Sequence, residues 1–194
     1  MLYTNTGETG THRIQKLFII ALFGAIIFVA NMFLPPPLNY LIIVVQAVLL
    51  ALSTLFIHKV GAMYVGAVGG LLTALGSPAL GPFTFFFAFL YGAYVDLCVY
   101  LFKINGSRIG VNNKRLMAAM AVSTLLIAVS SYLAFSMAPD FFSAQGLTAM
   151  GLFIQRSPML DALVLFMGTA TGAVAGYAAA YLWNKYLRHM SVTA

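Results

Sequence analysis

The sequence is poor in charge and poorest in acid. Only four of its 194 residues are acidic (Glu8, Asp96, Asp140 and Asp161), and charged residues total 7%, against about 25% in soluble domains. A water-facing surface cannot be assembled from so few charges, so most of this surface is expected to meet lipid. The single cysteine, Cys98, excludes an internal disulfide and any multi-cysteine metal or iron–sulfur site. Three histidines, His12, His58 and His189, are scattered along the chain and suggest no metal site. Also missing are a Gly-x-Ser-x-Gly elbow, a His-Glu-x-x-His helix, a Walker A loop, and paired carboxylates at catalytic spacing on one helix. No catalytic residue, metal or cofactor is therefore expected, and the chain does not read as an enzyme. Without ATP machinery of its own, a transport role would need ion coupling or an energising partner.

What is abundant is apolar sequence, at 62% of the chain. A lipid-crossing helix needs about 20 mostly apolar residues, because each adds about 1.5 Å across about 30 Å. Six segments qualify, at about Leu17 to Leu34, Leu38 to Ile57, Val60 to Leu75, Phe83 to Phe102, Leu116 to Met137 and Met159 to Trp183. The expected fold is an all-α integral membrane bundle of six helices spanning residues 17–183. Residues 1–16 form an arm and 184–194 a tail. A signal peptide is the competing reading of the first segment, but no small-x-small cleavage site follows it, so an uncleaved helix is expected.

The net charge of +6 does not indicate nucleic acid, because the ten Lys and Arg are scattered. They follow topology instead. Arg13, Lys16, Lys59, Lys103, Arg108, Lys114, Arg115, Lys185 and Arg188 fall on one side of the six spans, and Arg156 alone on the other. Positive loops stay inside, so both termini are placed in the cytoplasm. Trp183 and Tyr186 are expected as interfacial aromatics at that boundary. The polar stretch Lys103 to Arg115 reads as a flexible cytoplasmic turn. The apolar outer loop Ala138 to Pro158 reads as a cap lying on the bundle.

Small residues mark close helix contacts. Ala62, Gly66, Gly70 and Ala74 repeat every four residues on the third segment, and Gly168, Gly172, Gly176 and Ala180 on the sixth. Ala21 and Ala25, with Gly24 between them, could pack internally or dock a partner helix. Asp96 is the most informative polar residue, since a lone carboxylate at depth costs about 2.5–3.5 kcal/mol. It is either functional or hydrogen-bonded across the bundle. Asp161 begins the sixth segment, where it can meet an outside ligand or complement the helix dipole. Asn39, Tyr40, Ser77, Thr84, Tyr91 and Gln145 are further polar groups facing outward or midway. With Asp96 and Asp161 they make up the candidate substrate-binding set.

Several of these stretches resemble the substrate-binding S components of energy-coupling factor (ECF) importers. Ala21-Leu-Phe-Gly-Ala25 is similar to the Ala-x-x-x-Ala motif by which those proteins dock a transmembrane coupling subunit. Lys59-Val-Gly-Ala-Met, Leu75-Gly-Ser-Pro-Ala-Leu-Gly-Pro82 and Tyr91-Gly-Ala-Tyr-Val-Asp96 resemble the third and fourth helices of the thiamine-precursor (hydroxymethylpyrimidine) type. That type carries further acids in helices two to four, where this chain has Asp96 alone. The resemblance implies a vitamin-like small molecule bound in the outer half of helices four to six, under the first, third and fifth loops. It also implies Ala21 and Ala25 as docking residues, a coupling subunit and two ATPases as partners, and residence in the plasma membrane of a prokaryote. An autonomous transporter or channel with Asp96 as its ion- or proton-linked group, and a membrane assembly protein, are the alternatives.

Overall fold

The fold was taken from a computed structural model, which describes residues 6–33, 39–57, 60–76, 81–104, 106, 110–137 and 158–187. The side chains of residues 6–12, 33, 39–42, 81, 135–137 and 158–164 lie outside that description. Six α-helices are present among the described residues. They are α1 (Thr6–Phe33), α2 (Asn39–Ile57), α3 (Gly61–Gly76), α4 (Gly81–Leu101), α5 (Asn113–Met137) and α6 (Pro158–Leu182). A single π-helical turn, Trp183–Leu187, continues α6. The six apolar segments are thus six helices, with two extensions. Helix α1 begins at Thr6, so most of the expected arm is helical, and α5 begins at Asn113, before the apolar run.

Four helices are long and apolar enough to cross a membrane, over Arg13–Met32, Pro82–Leu101, Asn113–Ala134 and Leu165–Leu187. Helix α3, at 16 residues, reaches only about 24 Å at 1.5 Å per residue. The outer surface is apolar on every side. Phe18 and Val29 on α1, Leu71 on α3, Phe86 and Leu97 on α4, Leu133 on α5, and Phe166 and Val174 on α6 are all exposed. Such a continuous apolar surface suits a bilayer and no aqueous surface.

The helices close a ring in the order α1, α3, α4, α5, α6, α2, with α2 also leaning inward onto α4 and α5. The lean explains why Ala51 through Phe56 of α2 are all buried. Two seams are built from small residues. On α3, Gly66 and Gly70 lie against Ala88 and Phe85 of α4, while Gly92 of α4 meets the backbone of Ala62 and Met63. On α6, Gly172 rests on Met120, Ala121 and Thr124 of α5, and Gly176 on Leu116 and Met117. In each seam the partner numbers fall as the glycine numbers rise, so both pairs are antiparallel. Gly24 of α1 meets Val68 and Gly69, and Gly76 meets Phe28 and Met32, so α1 and α3 run parallel. Close backbone approach of this kind substitutes for the hydrophobic drive that lipid does not provide.

These directions gather one end of every helix around Ile57, Gly61, Leu101, Asn113 and Trp183. Arg13, Lys16, Lys103, Lys114, Arg115 and Lys185 all belong to that end, and no described Lys or Arg lies at the other. We call it the basic end. It is tightly made. Helix α4 stops in a Schellman motif, with Lys103 at φ 51°, its N–H on Tyr100 O (3.0 Å) and the Ile104 N–H on Val99 O (3.0 Å).

Residues 105 and 107–109 of the Lys103 to Arg115 connection, expected as a flexible turn, lie outside the described residues, and the others are held against the bundle. Ile104 and Val111 are buried, and Asn184 clamps the loop. Its Oδ1 accepts the Val111 N–H (2.8 Å), and its Nδ2 donates to Val111 O (3.0 Å) and Asn113 Oδ1 (2.7 Å). Gly110 adopts φ 118° beneath it, a conformation that favours glycine. Trp183 also departs from expectation. It is fully buried, edge-on to Phe56 with ring centroids 5.0 Å apart, and so is a core residue, while Tyr186 is exposed as an interfacial aromatic would be.

Candidate functional site

The bundle is packed unevenly along its length. Near the basic end α3, α4, α5 and α6 alternate buried and exposed positions and Ala51 through Phe56 of α2 are buried outright, as a sealed core requires, while no described residue of α1 before Gly24 is buried. The fully buried Leu50, Leu55, Val65, Val95, Leu116, Met120 and Trp183 all lie in that half. In the far half the alternation stops on α5 and α6. Ile127 to Tyr132 of α5 are six consecutive half-buried residues, and at about 100° per residue they cover every face of the helix. Gly168 to Thr171 of α6 form a full turn of the same kind, and Phe83, Thr84, Phe87, Phe89 and Leu90 of α4 are half-buried as well. Ala88 of α4 is still buried against Gly66 and Gly70, but residues 127–132 of α5 and 168–171 of α6 have no sealed face, including the face turned toward the bundle axis.

The groups in this open half are hydroxyls and aromatic rings. Tyr94 Oη and Ser130 Oγ are 2.9 Å apart, linking α4 to α5. Ser131 donates to Ala128 O (3.0 Å) and Thr171 to Met167 O (2.6 Å), so their protons are held by their own helices while their oxygens remain able to accept. Phe85 and Phe89 stack at 6.3 Å. Tyr91 stands where the open half meets the sealed one. Its ring is buried, and its hydroxyl has no hydrogen-bond partner among the described residues. Nothing charged is described in this region, and no group of three metal-ligating side chains occurs among the described residues.

Of the candidate substrate-binding residues, Thr84 and Tyr91 belong to this half. Asn39 and Tyr40 start α2 at the same end of the bundle, with side chains outside the described residues. The same is true of the Asp161 side chain on α6, and Ser77 and Gln145 lie outside the described residues altogether.

Asp96 lies elsewhere, in the sealed half, and shows the cross-bundle hydrogen bonds that were one of its two expected roles. Ala62 N–H donates to Oδ1 (3.1 Å) and Met63 N–H to Oδ2 (2.8 Å). These are the second and third residues of α3, whose N–H groups have no partner inside the helix. A capping side chain normally comes from the residue just before the helix. Here that residue is Val60, whose side chain has no acceptor, and Asp96 caps α3 from α4 instead. The positive end of the α3 dipole favours the carboxylate. Thr54 Oγ1 lies 2.9 Å from Asp96 Oδ1 and 3.1 Å from Leu50 O, and its one proton can serve either.

Ala21 and Ala25 are exposed on α1, while Gly24 between them is buried against Val68 and Gly69 of α3. The helix therefore splits the small-residue patch. Gly24 does the internal packing, and the two alanines face outward on a surface continued by Leu17, Phe18, Leu22, Ile26 and Val29.

Reasoning from sequence missed Ser130, whose signal was only a hydroxyl inside an apolar run, and Asn184, which was assigned to the tail. The chain matches no known protein-family model, no curated protein and no solved structure.

Proposed function

We propose that this chain is a membrane-embedded binding subunit, the S component of an ECF-type importer in a prokaryotic plasma membrane. It takes a small, vitamin-like molecule from outside and hands it to a coupling subunit driven by two ATPases. The observation that carries the reading is the division of the bundle into a sealed half at the basic end and an open half at the other. With the basic end inside, as positive loops favour, the open half faces outward, where a scavenged molecule arrives. Its hydroxyls and rings suit an aromatic or heterocyclic ligand of low charge, and a thiamine-related compound is of that kind. The outward Ala21 and Ala25 leave α1 able to receive a partner helix at close range. Asp96, spent on capping α3, supports a bundle that moves as one body and not a proton-linked channel.

Thermal stability of the purified chain against a panel of vitamins and precursors, thiamine and hydroxymethylpyrimidine first, tests this. A ligand at a hundred times its Kd stabilises by about 2.7 kcal/mol. One compound should shift the melt, and Ser130→Trp, which fills the open half, should remove the shift while the unliganded melt survives. A panel without a stabilising member would reject the reading. Ala21→Trp with Ala25→Trp should leave ligand binding intact and abolish energised uptake.

A further inference from the structure

The exposed edge of α6 carries a group that neither the ligand site nor the docking face uses. Lys185 Nζ donates to Tyr181 Oη at 2.8 Å, and the same ammonium stands 5.2 Å from the ring centres of both Tyr181 and Tyr186. All three side chains are exposed. An exposed lysine ordinarily loses nothing by waving in solvent. This one is held at a fixed height on the helix by two rings and a hydroxyl. The hydroxyl of Tyr181 accepts from the lysine, and no described residue accepts its own proton, so it can still donate.

Toward the bundle middle the same edge continues as Tyr177, Val174 and Met167, all exposed and apolar or amphipathic. A path for an acyl chain thus ends in a cation with two tyrosines, the order of groups met in passing from hydrocarbon to headgroup.

A second cation joins it. Asn184 and Asn113 face each other with Nδ2 and Oδ1 2.7 Å apart. Helices α5 and α6 are antiparallel, so viewed from one end they wind in opposite senses. The residues that follow a facing pair, Lys114 and Lys185, therefore project to the same side. Lys114 is exposed, and neither lysine forms an ion pair with a described residue. We propose that the ends of α5 and α6 form a headgroup clamp for an anionic phospholipid. Lys185 and Lys114 hold the phosphate, Tyr181 Oη donates to it, and the acyl chain lies along Tyr177 and Val174. The clamp rests on the bilayer placement and is independent of the importer reading.

The test is native mass spectrometry of the full chain released from nanodiscs of phosphatidylcholine alone or with one-third phosphatidylglycerol. The clamp predicts retained phosphatidylglycerol in preference to phosphatidylcholine. Each cation near an anionic headgroup contributes about fivefold, so Lys114→Gln with Lys185→Gln should lower retention about 25-fold. Lys103→Gln, at the same end but in the turn that follows α4, should change it less than twofold, and Lys185→Arg should preserve it. Tyr181→Phe keeps the ring and should lower retention severalfold. Equal loss with Lys103→Gln would show a diffuse field and overturn the clamp, as would equal retention of both lipids. Displacement of the lipid by millimolar inorganic phosphate would also overturn it, showing a free-anion site. Failure of the chain to enter either nanodisc would overturn the clamp together with the bilayer placement.

Discussion

Asp96 and Lys103 show how single residues set the ends of helices here. The Asp96 carboxylate binds two α3 N–H groups that Val60 cannot reach. Removing it with Asp96→Ala leaves those donors buried and unpaired, at a cost of about 2 kcal/mol. Asp96→Asn keeps one acceptor oxygen and should lose less. Denaturation in detergent should rank the melts wild type, Asn, Ala, and an unchanged melt for Ala would refute the capping role. Energised uptake should survive Asp96→Asn, whereas a proton-linked carrier would stop. Lys103 sits at φ 51°, in the left-handed region that costs a side-chain-bearing residue about 1 kcal/mol. Lys103→Gly should raise the melt and Lys103→Val lower it, and the reverse order would contradict the Schellman end.

Helices α3 and α4, and α5 and α6, are joined by seams in which glycine allows backbone to touch backbone. A Cβ at Gly66 would strike Ala88 O, and one at Gly172 would strike Met120 O and Thr124 Oγ1. Main chain cannot yield there, so Gly66→Val or Gly172→Val should prevent recovery of monodisperse protein. At Gly76 the nearest atoms are the far ends of Phe28 and Met32, which can rotate, and Gly76→Ala should behave as wild type in size-exclusion chromatography. These seams were legible in sequence as four-residue spacings. Their partners were not, because spacing shows that a helix has a small face and not which helix meets it. The capping of α3 by Asp96 was illegible for the same reason, since its parts are 34 residues apart. The Lys103 to Arg115 connection looked flexible from its Asn and Gly content. Its described residues are held by Asn184, remote in sequence, and by the burial of Ile104 and Val111.

At the scale of the whole molecule, the six apolar runs foretold a helical bundle, which the structure has, and the one-sided cations foretold a basic end, where all the described Lys and Arg lie. The open half was not foretold, because half-burial depends on how far helices splay and no residue type announces splay. In the proposed function, a sealed half at the basic end keeps the bundle rigid, the open half receives a ligand, and the outward alanine pair on α1 meets the partner that supplies energy. Native mass spectrometry of the tagged chain, extracted gently from its own membranes beside the Ala21→Trp, Ala25→Trp double variant, tests that union most directly. The account predicts that the wild type carries a vitamin-sized molecule together with a coupling subunit and two ATPases, and that the variant keeps the molecule and loses the subunits. A wild-type chain that emerges empty and alone, or a variant that still holds its partners, would contradict it.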